Sequence, residues 1–64
     1  MTVYDFIWLC TEDDSIDVEI WSEKAGDVVF TGNGREAKKS KYSFDIVNSY
    51  DAPTKPWSIT INID

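Results

Sequence analysis

Ile16, Val18 and Ile20 alternate with Asp17, Glu19 and Trp21, the period-2 signature of a strand with one buried face. Val28, Val29 and Phe30 form a second β-prone run, and Ala25-Gly26-Asp27 supplies turn chemistry between the two. Ser15 to Gly32 therefore reads as a β-hairpin. Upstream, Val3, Phe6, Ile7 and Cys10 fall at i, i+3, i+4 and i+7, the spacing of one helix face. Thr2 followed three residues later by Asp5 is a weak capping box, with an acid placed in the first turn. A strand over the same residues would bury Asp5 among apolar groups, so a helix from Thr2 to Cys10 is the better reading.

Thr11 to Ser15 is a polar connector. Thr31-Gly32-Asn33-Gly34 is expected to break the second strand. Arg35 to Ser40 has helix-favouring residues without an apolar face, which suits one exposed, basic helical turn or a loop. Lys41 to Tyr50 reads as a third strand, with Tyr42, Phe44 and Ile46 alternating with Ser43 and Asp45. Two prolines make Asp51 to Pro56 a rigid loop, because neither can sit inside a sheet. Trp57 to Ile63 reads as a fourth strand, with Trp57, Ile59, Ile61 and Ile63 turned inward.

The predicted fold is one α+β domain over residues 1–64, in the order α-β-β-(short α)-β-β. The amino-terminal helix would pack on one face of a four-stranded, mostly antiparallel sheet. The other face, with Asp17, Glu19, Trp21, Asp45, Thr60 and Asn62, would be left to solvent. A chain of 64 residues buries only about 60% of its unfolded surface and gains roughly 3–5 kcal/mol of net stability. Such a core is too small to enclose a substrate pocket.

Charge sharpens the picture. The net charge of −6 is uneven: residues 1–30 carry eight carboxylates against Lys24 alone, and residues 31–41 carry Arg35, Lys38, Lys39 and Lys41 against Glu36. Phosphate binding depends on clustered cations releasing counterions, so the balance disfavours direct nucleic-acid binding and favours a basic partner. The same acids also serve solubility.

Candidate chemistry is sparse. The chain has no histidine, which removes the commonest general base and metal ligand and with them the Ser-His-Asp and Cys-His triads. Cys10 is the single cysteine. It excludes an intramolecular disulfide, fits a reducing cytosol, and reads as a small hydrophobe on the helix face. Gly32-Asn33-Gly34 lacks the third glycine of a dinucleotide fingerprint. Glu12-Asp13-Asp14 with Asp17 lacks the alternating oxygens and the sixth-position glycine of a calcium loop. The expectation is a non-enzyme with no cofactor and no metal. No signal peptide or membrane span is visible, and the start at Met1 suits a complete small cytoplasmic protein.

The aromatics suggest where a partner would sit. Tyr4 and Trp8 are i, i+4 neighbours flanking the core stripe of the first helix, and Trp21 lies on the outward face of its strand. Exposed rings beside acids have the composition of an interface. The candidate partner-binding set is thus Tyr4, Trp8, Glu12, Asp13, Asp14, Asp17, Glu19, Trp21 and Glu23. An alternative reading is a small structural or assembly module that self-associates into a homo-oligomer through the aromatic patch or through a sheet edge, which the strand at Trp57–Ile63 would permit.

Four stretches in order, Thr2-Val3-x-Asp5-Phe6-Ile7, Ile16-x-Val18-x-Ile20-Trp21, Gly26-x-Val28-x-Phe30-x-Gly32 and Ile59-Thr60-Ile61-Asn62-Ile63, resemble the small acidic proteins encoded by phages and prophages of gut Firmicutes. Those proteins are mostly of unknown function, and the resembling motifs are folding motifs. The segment after Gly32 is acidic in them and basic here. The resemblance implies a phage protein in the host bacterial cytoplasm that acts by binding host proteins. An inhibitor of a nucleic-acid-binding or defence protein, anti-CRISPR-like in its acidic mimicry of phosphates, is the activity it implies.

Overall fold

A computed structural model describes residues 1–10, 15–51 and 58–64. The Cys10 side chain, Glu12, Asp13, Asp14, Trp57 and the two prolines lie outside the described parts. The elements are α1 (Val3–Cys10), β1 (Asp17–Ser22), β2 (Asp27–Asn33), α2 (Gly34–Lys39), β3 (Val47–Asp51) and β4 (Ser58–Ile63). They build the expected α-β-β-α-β-β order around a four-stranded sheet.

The strands lie in the order β2-β1-β4-β3, and the first and last strands form its centre as a parallel pair. β1 pairs antiparallel with β2, and β4 with β3. Edge strands β2 and β3 consequently run the same way on opposite sides, so the chain must cross the sheet between them. α2 and the turns after it make that crossing. β4 has neighbours on both sides, so the edge assigned to it from sequence does not exist; the free edges belong to β2 and β3.

The hairpin forms for the reasons its pattern suggests. Val18, Ile20 and Ser22 are buried on β1 while Asp17, Glu19 and Trp21 are exposed. The turn closes with a 2.8 Å bond from the Gly26 amide to the Ser22 carbonyl, and Gly26 adopts φ 68°, which glycine reaches without steric cost. Ser22 is buried but satisfied, since its hydroxyl donates to the Asp64 carbonyl at 3.0 Å and accepts from the Ala25 amide at 3.1 Å.

β2 does not break at Thr31. It runs through Asn33, with Gly32 opposite Val18 and Asn33 opposite Asp17. A Cβ at Gly32 would lie 3.0 Å from the Phe30 ring and 3.3 Å from Glu36 Oε1, so the glycine makes room for a neighbouring aromatic. Asn33 then caps α2. Its side chain accepts from the Glu36 amide at 2.8 Å, and the Glu36 carboxylate accepts from the Asn33 amide at 3.4 Å. That reciprocal box makes α2 a helix rather than a loop. It has a packed face after all, made of two small residues, Gly34 and Ala37.

The third strand begins later than its pattern predicts. Residues 41–45 form turns, with Ser43 bonded to the Ser40 carbonyl and Asp45 to the Tyr42 carbonyl. The carbonyls of Ser43 and Asp45 are taken by the first amides of α1, from Tyr4 at 2.8 Å and Val3 at 2.9 Å. Those amides have no partner within their own helix, and a buried orphan is costly, so they recruit this segment. Ser43 is buried, Phe44 is 79% exposed and Asp45 sits in the turn, off the sheet face assigned to it. Thr2 forms an isolated bridge with Ile46, and the Val47 amide donates to the Met1 carbonyl.

The core lies on the helix side of the sheet. Val3, Phe6 and Ile7 of α1, Ala37 of α2, Val18 and Ile20 of β1, and Ile59, Ile61 and Ile63 of β4 form one cluster. Five of these nine come from the central parallel pair. Phe30, Tyr42 and Val47 pack around them half-buried.

Candidate functional site

Strand alternation decides the open face. With Ile59, Ile61 and Ile63 turned to the helices, Ser58, Thr60 and Asn62 are turned away. Cross-strand register extends that surface in rows. One row runs Thr31, Glu19, Thr60, Asp51; another runs Asn33, Asp17, Ser58; a third runs Val28, Trp21, Asn62, Ser49. The Asn62 side-chain amide donates to the Ser49 hydroxyl at 2.9 Å within the third row. The surface thus carries three carboxylates and one indole, Trp21, which is 36% exposed. No lysine or arginine stands in these rows among the described residues.

At the end of the sheet where β1 starts, Asp17, Glu19, Thr31, Asn33, Glu36 and Ser58 line an open groove of about 470 Å³. Glu36 reaches it because the capping box turns its carboxylate back towards Asn33. Among the described residues, no three His, Cys, Asp or Glu side chains are grouped to hold a metal ion. Among them also, no helix is long and apolar enough to cross a membrane.

The predicted site residues divide. Asp17, Glu19 and Trp21 come together on the open face. Glu23 follows β1 in the hairpin turn, where its amide donates to the Ile63 carbonyl at 2.9 Å. Tyr4 and Trp8 are on the helix side, 38% and 52% exposed, with their rings edge-to-face at 6.4 Å between centroids. Their described neighbour there is a cation: Lys38 Nζ lies 3.8 Å from the centre of the Trp8 ring. Glu12, Asp13 and Asp14 are outside the described residues.

Sequence reasoning missed Asp51 and Glu36 as members of the acidic side. The prolines that follow Asp51 point to a loop there, and only pairing with Thr60 brings it onto the face. Glu36 had a legible signal, Asn33-x-x-Glu36, which is a capping-box pattern. Compared with protein-family models, curated proteins and solved structures, the chain matches none.

Proposed function

We propose that the protein is a non-enzymatic binding module whose open sheet face docks a basic surface of another protein. The observation that carries this reading is the juxtaposition of Asp17, Glu19 and Asp51 around exposed Trp21 on a face with no cation in its described rows. An indole supplies contact area at low entropic cost, and the carboxylates supply long-range attraction and orientation. The strands beneath are anchored by the core, so the face needs little ordering on binding.

In this reading the partner's basic surface is one that handles nucleic acid, and the mechanism is occupancy. Carboxylates take the places of phosphates, and the nucleic acid is kept out. The resemblance to small phage proteins supports a bacterial host protein as target, with an inhibitory, anti-CRISPR-like outcome. The test is affinity capture from a bacterial lysate, run beside an Asp17→Lys/Glu19→Lys variant. Capture of a basic nucleic-acid-binding protein by the parent alone, reversed by added duplex DNA or by RNA, is the expected result. Equal capture by the charge-reversed variant would refute the reading.

A further inference from the structure

The junction between β2 and α2 carries a reactive pair of residues. Of the three asparagines in the chain, Asn33 alone is followed by glycine. An asparagine side chain is open to attack at Cγ by the backbone nitrogen of the next residue, and a glycine there has no Cβ to obstruct the approach. Here the Gly34 nitrogen would bond to Asn33 Cγ and close a succinimide ring. The side-chain nitrogen would leave as ammonia, carrying away the proton of the Gly34 amide. Water then opens the ring. Attack at the side-chain carbonyl gives aspartate with the backbone restored, whereas attack at the backbone carbonyl gives isoaspartate, with the chain running through the former side chain.

We infer that Asn33–Gly34 is a site of spontaneous modification that the folded junction holds in check, so that the reaction proceeds when α2 and the end of β2 open. Both reacting groups are tied down. The Gly34 amide donates to the Ile16 carbonyl at 2.9 Å, and Gly34 is buried. The Asn33 side-chain oxygen accepts from the Glu36 amide at 2.8 Å, while the Glu36 carboxylate accepts from the Asn33 amide at 3.4 Å. Attack requires the Gly34 nitrogen to leave Ile16 and the Asn33 side chain to leave Glu36 at the same time. The two products differ in what they do to the fold. Aspartate caps a helix as well as asparagine does, so α2 is kept. Its new carboxylate stands opposite Asp17, where like charges repel, in the groove that Glu19 and Glu36 also line. Isoaspartate lengthens the backbone by one carbon and disturbs the register that sets residue 33 against Asp17. This chemistry belongs to the chain whether or not the open face docks a partner.

The test is incubation of the full chain at neutral pH, beside the same chain unfolded in guanidinium chloride. Amide loss at each asparagine is followed by peptide mapping and mass spectrometry. In the unfolded chain Asn33 should react faster than Asn48 and Asn62, which precede serine and isoleucine. In the folded chain Asn33 should react at least about tenfold more slowly than when unfolded, which corresponds to an opening free energy of about 1.4 kcal/mol. That comparison lies within the parent chain and needs no variant. Glu36→Ala, checked for folding by circular dichroism, should speed the folded reaction about threefold through loss of one exposed hydrogen bond, and leave the unfolded rate unchanged. Glu36→Gln keeps an acceptor for the Asn33 amide and should stay near the parent rate. Equal rates in the folded and unfolded chains, or faster loss at Asn48 or Asn62 in the unfolded chain, would overturn the inference. A folded Glu36→Ala chain reacting no faster than the parent would overturn the part given to the capping box.

Discussion

The open face of the sheet gathers carboxylates around one indole and the helix side sets two rings beside a lysine, and they are assembled in different ways. On the open face, Asp17, Glu19 and Trp21 are neighbours within one strand, and cross-strand pairing only widens what they begin. On the helix side, Trp8 meets Lys38 from thirty residues away, where α1 packs against α2. A surface written by alternation survives small errors in element boundaries. One written by helix packing depends on both helices being present, capped and seated.

Changes beneath both surfaces should have the largest effect. Ile61 is fully buried at the centre of β4, and its truncation to Ala should cost about 2–5 kcal/mol, comparable with the whole net stability expected of so small a domain. Urea or thermal unfolding followed by circular dichroism should show a largely unfolded Ile61→Ala chain, with both surfaces lost together.

The next variant separates them. Removing the Asn33 cap by Asn33→Ala should cost about 1 kcal/mol and lower Tm by roughly 4–8 °C. Fraying of α2 should then loosen the Lys38 contact with Trp8, while the Trp21 indole, two rows away from Asn33 on the sheet, stays put. If Trp8 and Trp21 signals moved equally, the two surfaces would not be independent.

Asp17→Lys/Glu19→Lys sharpens the comparison from the other side. Both residues are exposed, so each change should alter stability by no more than about 0.5 kcal/mol in a denaturant titration, even as partner capture is lost. The smallest effect belongs to Thr2→Ala. Its hydroxyl accepts from the Asp5 amide at 3.2 Å, a long bond in an exposed turn, so its loss should cost about 0.5 kcal/mol. The amides of Val3 and Tyr4 keep their carbonyl partners on residues 43 and 45, so hydrogen exchange at those two positions should be little changed.

Two runs with the same alternating pattern show what local order could decide. Ile16 to Trp21 and Tyr42 to Ile46 both alternate, yet only the first falls in a strand over most of its length. The difference lies in backbone partners. β1 has strands on both sides, whereas the carbonyls of residues 43 and 45 are claimed by the amino-terminal amides of α1. Nothing within residues 41–46 announces that claim, because it comes from some forty residues upstream.

By itself the sequence determined the elements whose pattern and partners agree: α1 from its i, i+3, i+4 stripe, the β1–β2 hairpin from alternation and Gly26, and β4 from its three alternating isoleucines. It also determined the acidity of the face that β1 turns outward, because alternation settles which side chains share a surface. The tertiary structure alone placed β4 beside β1 in parallel, moved the free sheet edges from β4 to β2 and β3, and brought Asp51 onto the acidic face. It alone moved Tyr4 and Trp8 away from that face to the cations of α2. The physical reason is range. Periodicity reports which side of its own element a residue occupies, whereas strand order and helix contacts follow from burying one shared core and satisfying backbone groups far apart in the chain.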